Sequence, residues 1–199
     1  MKPAQKKKEL ATRHANNPII TIDDFSFPTH RVCNSGFVED GNGGVIGLIY
    51  VSDNEVRPHM LYAHSTDGIH FEIEEDRNLC FLPSEFPYEG RIEGIYDPRV
   101  TRIDDSYYIT HNTGSESFGT RISLYRTRDF REVEPLGFIS PPDNRNCVLF
   151  PERVDGDYVR LERPHGLASE GDIYISFSPD LIHWGRHQLL YPRNYRRWE

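Results

Sequence analysis

Leu61-Tyr62-Ala63-His64-Ser65-Thr66-Asp67-Gly68-Ile69-His70-Phe71 begins as an apolar strand and breaks at a Ser-x-Asp turn. The phrase returns twice, as Leu124-Tyr125-Arg126-Thr127-Arg128-Asp129-Phe130 and as Ile173-Tyr174-Ile175-Ser176-Phe177-Ser178-Pro179-Asp180-Leu181-Ile182-His183-Trp184. Its aspartates fall about 62 and then about 51 residues apart, a period that marks stacked units such as propeller blades. A propeller carries its site on the axis, where loops from different blades converge.

Two further segments rhyme. Arg99-Val100-Thr101-Arg102-Ile103-Asp104-Asp105-Ser106-Tyr107-Tyr108-Ile109 and Phe150-Pro151-Glu152-Arg153-Val154-Asp155-Gly156-Asp157-Tyr158-Val159-Arg160 both start near proline, turn at acidic residues and return through tyrosine. Each precedes its aspartate phrase, which is the internal order of a blade. Strands are expected at 45–51, 59–64, 70–73, 99–103, 107–111, 121–125, 148–154, 158–162, 172–177 and 188–190. Asp-Gly and Asn-Gly steps between them supply the positive φ of tight hairpins. The reading is all-β, a propeller domain over 18–199 preceded by an arm or short helix over 1–17.

The net charge of −8 over 199 residues argues against general nucleic-acid binding, which needs a basic face. No apolar run is long enough to span a bilayer, and the basic start of the chain lacks the apolar core of a secretory signal. Cys33, Cys80 and Cys147 are widely spaced, without a C-x-x-C pair, and read as free thiols of a reducing cytoplasm. No metal site is expected, and the phosphate-loop and dinucleotide motifs are absent.

Three segments hold residues suited to chemistry. In Tyr96-Asp97-Pro98-Arg99 the proline forces Asp97 into extended backbone. At the start of an inner strand, flanked by Ile95 and Tyr96, its carboxyl would point along the axis, partly desolvated. A protonated carboxyl there suits delivery of a proton to a leaving sugar oxygen, whereas the plainer reading is a turn cap. Strand alternation puts Arg163 on one face with Val159 and Leu161, so it needs an anionic partner. With Arg145 it would make a phosphate clamp, and Glu152 or Glu162 would be the local alternative partners. In Val32-Cys33-Asn34-Ser35-Gly36-Phe37, Asn34 and Ser35 offer directional groups for sugar hydroxyls, or simply form a turn.

In order along the chain, Asn17-Pro18-Ile19-Ile20-Thr21, Asn34-Ser35-Gly36, Ser65 to Phe71, Tyr96-Asp97-Pro98-Arg99-Val100, Leu149-Phe150-Pro151-Glu152, Arg160-Leu161-Glu162-Arg163-Pro164 and Ser178 to Gly185 resemble glycoside hydrolase family 130, the mannoside phosphorylases and related mannosidases. The resemblance implies a five-bladed β-propeller, of which this chain would hold three to three and a half blades. It implies inverting phosphorolysis of β-mannosides (mannooligosaccharide, mannosyl-glucose or mannosyl-N-acetylglucosamine type) to α-mannose 1-phosphate, with inorganic phosphate as co-substrate and no cofactor. Asp97 would be the sole general acid, working through a mannose hydroxyl. Arg145 and Arg163 would bind phosphate. Asn34, Ser35 and Tyr96 would hold the mannosyl unit, and His165 would lie on the acceptor side. Family members usually carry an arginine where this chain has Val51, and their longer chains hold a phosphate-site histidine and acceptor residues beyond the last residue here. A hydrolase using water, and a truncated sugar-binding or assembly module, are the competing readings. The resemblance implies carbohydrate and phosphate as partners, with neither nucleic acid nor membrane. The arm offers a means of self-association.

Overall fold

The computed structural model describes residues 11–80, 92–115, 119–165 and 171–193. Among these the chain is all-β apart from one 3-10 turn at Ile22–Asp24. The expected arm or helix over 1–17 lies partly outside the described residues, and 11–17 carry no helix. No described helix is long and apolar enough to cross a membrane.

Three antiparallel sheets follow one another as blades. Blade 1 contains β1 (Thr29–Val32), β2 (Gly36–Glu39), β3 (Val45–Asp53), β4 (Pro58–Ser65) and β5 (Glu72–Asn78). Blade 2 contains β6 (Ile92–Ile103), β7 (Ser106–Ser115), β8 (Gly119–Thr127) and β9 (Val133–Phe138). Blade 3 contains β10 (Asn144–Leu149), β11 (Tyr158–Pro164), β12 (Ile173–Ser178) and β13 (Gly185–Tyr191). Both β1 and β2 pair with the same edge of β3, so they are two halves of one broken inner strand. The inner strands β2, β6 and β10 lie side by side and define the axis.

The repeated aspartate phrase is the turn between the third and fourth strands of every blade. Asp67 Oδ1 accepts the backbone N–H groups of Ile69 and His70, both at 2.8 Å. Asp129 and Asp180 do the same for Arg131 and Glu132 and for Ile182 and His183. The residue after each aspartate is left-handed: Gly68 (φ 72), Phe130 (φ 58) and Leu181 (φ 70). Phe130 is 1% exposed in the core between blades 1 and 2, among Leu48, Met60, Ile109 and Tyr125. Leu181 is buried in the core between blades 2 and 3, among Ile122, Leu124, Cys147 and Leu149. The turns of blades 2 and 3 thus each plug the interface with the preceding blade. Burying so large an apolar side chain is worth roughly 1.5–3 kcal/mol, enough to hold a backbone conformation that costs about 1–3.

The far face of blade 1 (Ile49, Val51, Leu61 and Ala63) is fully buried under Ile20, Phe25 and Phe27 from the segment preceding β1. Val51 therefore faces away from blade 2 and into this cover. All three cysteines are free thiols, Cys147 buried and the others partly so.

Candidate active site

The site is built from one irregularity repeated in three inner strands. In β6 the pairing steps from Tyr96 opposite Asn112 to Arg99 opposite Thr110. In β10 it steps from Arg145 opposite Arg163 to Val148 opposite Leu161. Two inner residues then face one partner, a bulge that re-aims a side chain. The first bulged residue is Asp97 in blade 2 (φ 58), left-handed in the bulge rather than extended as expected before proline, and Asn146 in blade 3 (φ 64). Blade 1 breaks its strand at this level, and Asn34 in the gap has φ 50. Short polar side chains tolerate this backbone best, because they bond locally. Gly36 lets the broken strand approach blade 2, since a Cβ there would lie 2.8 Å from Pro98 O.

The three left-handed residues meet. Asn34 Nδ2 donates to Asp97 Oδ1 at 2.6 Å. A guanidinium offers no acceptor, so Asn146 presents its side-chain oxygen to Arg163 Nη2 at 2.7 Å. Its amide nitrogen then donates to Asp97 Oδ2 at 2.9 Å. The opposite orientation, with the oxygen accepting from Asn112 Nδ2, would set nitrogen against guanidinium and oxygen against carboxylate. Asn112 also donates to Asp97 Oδ2, at 3.3 Å, and its own oxygen accepts the backbone N–H of Asn146 at 2.9 Å. Asp97 is thus gripped from blades 1, 2 and 3 together. Arg99 Nη1 donates to the carbonyls of Asn34 and Pro98 and fixes the bulge from below.

Arg145 and Arg163 are directly paired across β10 and β11. Burial and the nearby Arg145 guanidinium push Arg163 below its ordinary range, while Asp97 and Tyr96 pull the other way. The Nε atoms of both arginines are buried without a hydrogen-bond partner. Glu162 is occupied elsewhere: its Oε2 accepts from Arg160 Nη2 at 2.5 Å and Asn144 Nδ2 at 2.7 Å, and its Oε1 lies 2.5 Å from His187 Nδ1. Arg160, fully buried, also donates to Ile139 O and stacks on Trp184. Two polar systems therefore share β11, one on each face. The Arg160–Glu162 system is internally neutralised, and the Arg145–Arg163 pair presents positive charge beside Asp97.

A cavity of about 370 Å³ opens on the blade 1 side of Asp97, lined by Asn34, Tyr50, Tyr96, Asp97 and Thr120 among others. Asp97 is the one carboxylate among the described residues lining it. Tyr96 lies across from Thr120, with hydroxyl oxygens 3.5 Å apart. Ser35 does not line the cavity. Its Oγ accepts the Tyr50 N–H at 3.0 Å and closes the gap between β1 and β2. His165 follows β11, tied by its backbone N–H to Asp143 O at 2.5 Å, on the arginine flank. His183 and His187 are four residues apart but serve different partners, Asp180 and Glu162. No group of described residues forms a metal-binding cluster. Asn112 and Asn146 escape sequence reading, because asparagine in a strand carries no signal of its own. The one trace of Asn112 is the polar run Thr110-His111-Asn112-Thr113 in β7, and Asn146 leaves none.

The family model described as beta-1,4-mannooligosaccharide phosphorylase, the glycoside hydrolase 130 model, matches residues 8–199. The chain belongs to glycoside hydrolase family 130. A beta-1,2-mannobiose phosphorylase of Listeria innocua is 40% identical over 84% of this chain and 43% of its own length. A beta-1,4-mannooligosaccharide phosphorylase of Ruminococcus albus is 34% identical over 91% of this chain and 55% of its own length. The family 130 chain thus spans about half the length of these curated relatives. Among solved structures, a Listeria innocua beta-1,2-mannobiose phosphorylase in complex with beta-1,2-mannobiose aligns with TM-score 0.80 at 27% identity, covering 92% of this chain and 67% of the other. The three blades are consecutive units of that five-bladed propeller type.

Proposed function

We propose that this site carries out phosphorolysis of β-linked mannosides with inversion, yielding α-mannose 1-phosphate and a sugar shortened by one mannose. The observation that carries the reading is the one carboxyl among the described residues of the cavity, joined through the Asn146 amide to Arg163, which pairs across the strands with Arg145. Inverting hydrolysis needs a second carboxylate roughly 6.5–9.5 Å from the acid to activate water. Phosphate needs no such base, since it arrives as an anion and is its own nucleophile. It does need cationic, bidentate donors, which Arg145 and Arg163 supply.

In this reading a phosphate oxygen attacks the anomeric carbon and the glycosidic C–O bond breaks. The leaving oxygen takes a proton originating on Asp97, passed through a sugar hydroxyl. Negative charge then appears on Asp97, where Asn34, Asn112 and Asn146 already point N–H groups. Such preorganised donors need no reorganisation as charge develops. Asn34 and Tyr96 hold the mannosyl unit, Ser35 supports Asn34 through the backbone, and His165 stands beside the phosphate site. Relatives named as beta-1,2-mannobiose and beta-1,4-mannooligosaccharide phosphorylases support β-mannosides as the substrate class.

The test is product analysis with β-mannobiose in the presence and absence of phosphate. Mannose 1-phosphate is expected, and Asp97→Asn should lower its rate about 100- to 10,000-fold. Arg163→Gln should raise the KM for phosphate far more than that for sugar. Free mannose formed at one rate regardless of phosphate would overturn the proposal.

A further inference from the structure

The cavity beside Asp97 has a wall that the displacement itself leaves unused. It is made by Arg31 on β1 and by Val56 and Pro58 at the β3–β4 hairpin, all from blade 1. The arginine pair belongs to blade 3, on the other side of the blade 2 acid.

Val56 is the unusual member. It is a β-branched residue in the left-handed region (φ 62), a conformation such side chains rarely adopt. It is also 68% exposed, so packing does not repay the backbone. The conformation is imposed by Asp53, which is 5% exposed and knots the hairpin. The carbonyl of Asp53 accepts from Val56 N–H at 2.9 Å, and its Oδ1 accepts from Glu55 N–H and Arg57 N–H, both at 2.9 Å. Its Oδ2 holds Arg57 Nε at 2.7 Å and lies 3.2 Å from His59 Nε2. A turn this firmly tied would accept glycine at no cost. Instead it carries an apolar side chain outward to the cavity rim. Strain kept without local repayment points to a role in function.

The wall suits a sugar ring. Val56 and Pro58 offer apolar surface to the C–H face of a pyranose, and Arg31 offers only donors, matched to hydroxyl and ring oxygens. Direction follows from stereochemistry. In a displacement with inversion the nucleophile and leaving group lie on opposite sides of the anomeric carbon. If phosphate sits on the blade 3 arginines, the departing sugar leaves toward blade 1. Resting on the phosphorolysis reading, we infer that Arg31 and Val56 form the binding wall for the leaving-group sugar and set its selection.

The experiment is titration calorimetry of the whole chain with β-1,2- and β-1,4-mannobiose, and separately with α-mannose 1-phosphate, which lacks the leaving sugar. The proteins are wild type, Val56→Gly, Arg31→Ala and the double variant. Val56→Gly keeps the hairpin backbone, and its thermal midpoint should equal or exceed that of wild type. The double variant should bind the preferred mannobiose about tenfold more weakly, a loss of about 1.4 kcal/mol. Its affinity for mannose 1-phosphate should stay within about twofold of wild type. Unchanged mannobiose affinity, or an equal loss for mannose 1-phosphate, overturns the assignment of the wall and leaves the reaction standing. Wild-type protein that binds neither ligand overturns the reaction and the wall together.

Discussion

His111 is 2% exposed, its ring stacked on Tyr125 with centroids 5.1 Å apart and its Nε2 without a hydrogen-bond partner. Burial pushes it down to about 4 from 6.5, against the smaller pull of the Asn112 carbonyl. As pH falls below 6.5 the unfolded chain takes up a proton that the folded chain refuses. Stability is therefore full above that pH, declines toward about 4, and stops declining where both states are protonated. The shift corresponds to about 3 kcal/mol in total. Urea titrations at pH 7 and pH 4.5 should show most of this loss in wild type and little in His111→Gln, relative to one another. A wild-type slope equal to the variant's would show that His111 is protonated or hydrated in the fold. At this scale, charge was the legible part of the site. Asp97 before proline and Arg163 on an apolar face announce themselves, because an ionised group inside needs a partner. Asn146 and Asn112 do not, because an amide is equally at home in a turn, and their roles depend on a bulge visible only in register.

Among elements, the Ser/Thr-x-Asp turns were readable because one geometry forces one residue pattern. Asp67 and Asp180 lie well below the usual carboxylate range: at Asp67 chiefly through His70, at Asp180 chiefly through the His183 backbone N–H. What the pattern concealed was the plug. Phe130 and Leu181 read as turn residues after the aspartates, yet their side chains close interfaces. Phe130→Ala should destabilise the chain by about 3–5 kcal/mol in urea unfolding, as for other buried phenylalanines. A cost below 1 kcal/mol would mean that the two blades do not rely on it. Three strands were missed for identifiable reasons. β1 and β2 are four residues each, split around Asn34-Ser35, which looks like a turn. β9 contains Pro135 and Gly137, tolerated because it is the outer edge strand of blade 2. The strand expected at 148–154 instead runs over β10, ending before Pro151.

For the molecule as a whole, blade number followed from counting aspartate phrases, since each blade closes on one. The covering of the blade 1 face turned away from blade 2 did not follow, because it depends on which aromatic residues fold back. Blade 1 is covered by Phe25 and Phe27, whose tilted rings lie 5.7 Å apart between centroids over Ile49, Val51 and Leu61. Phe27→Ala should cost about 2–4 kcal/mol, given its partial burial. It should also raise binding of an apolar fluorescent dye, and an unchanged midpoint would show the segment to be dispensable. Blade 3 by contrast ends on β13, with Leu189, Leu190 and Tyr191 each about half exposed.

The backward-reaching plugs bear on how such a chain is made. A blade leaving the ribosome carries its sealing piece in its own final turn, directed at a neighbour that has already been synthesised. Docking can then proceed in the order of translation, each finished sheet locking the one before it, without waiting for sequence still inside the exit tunnel.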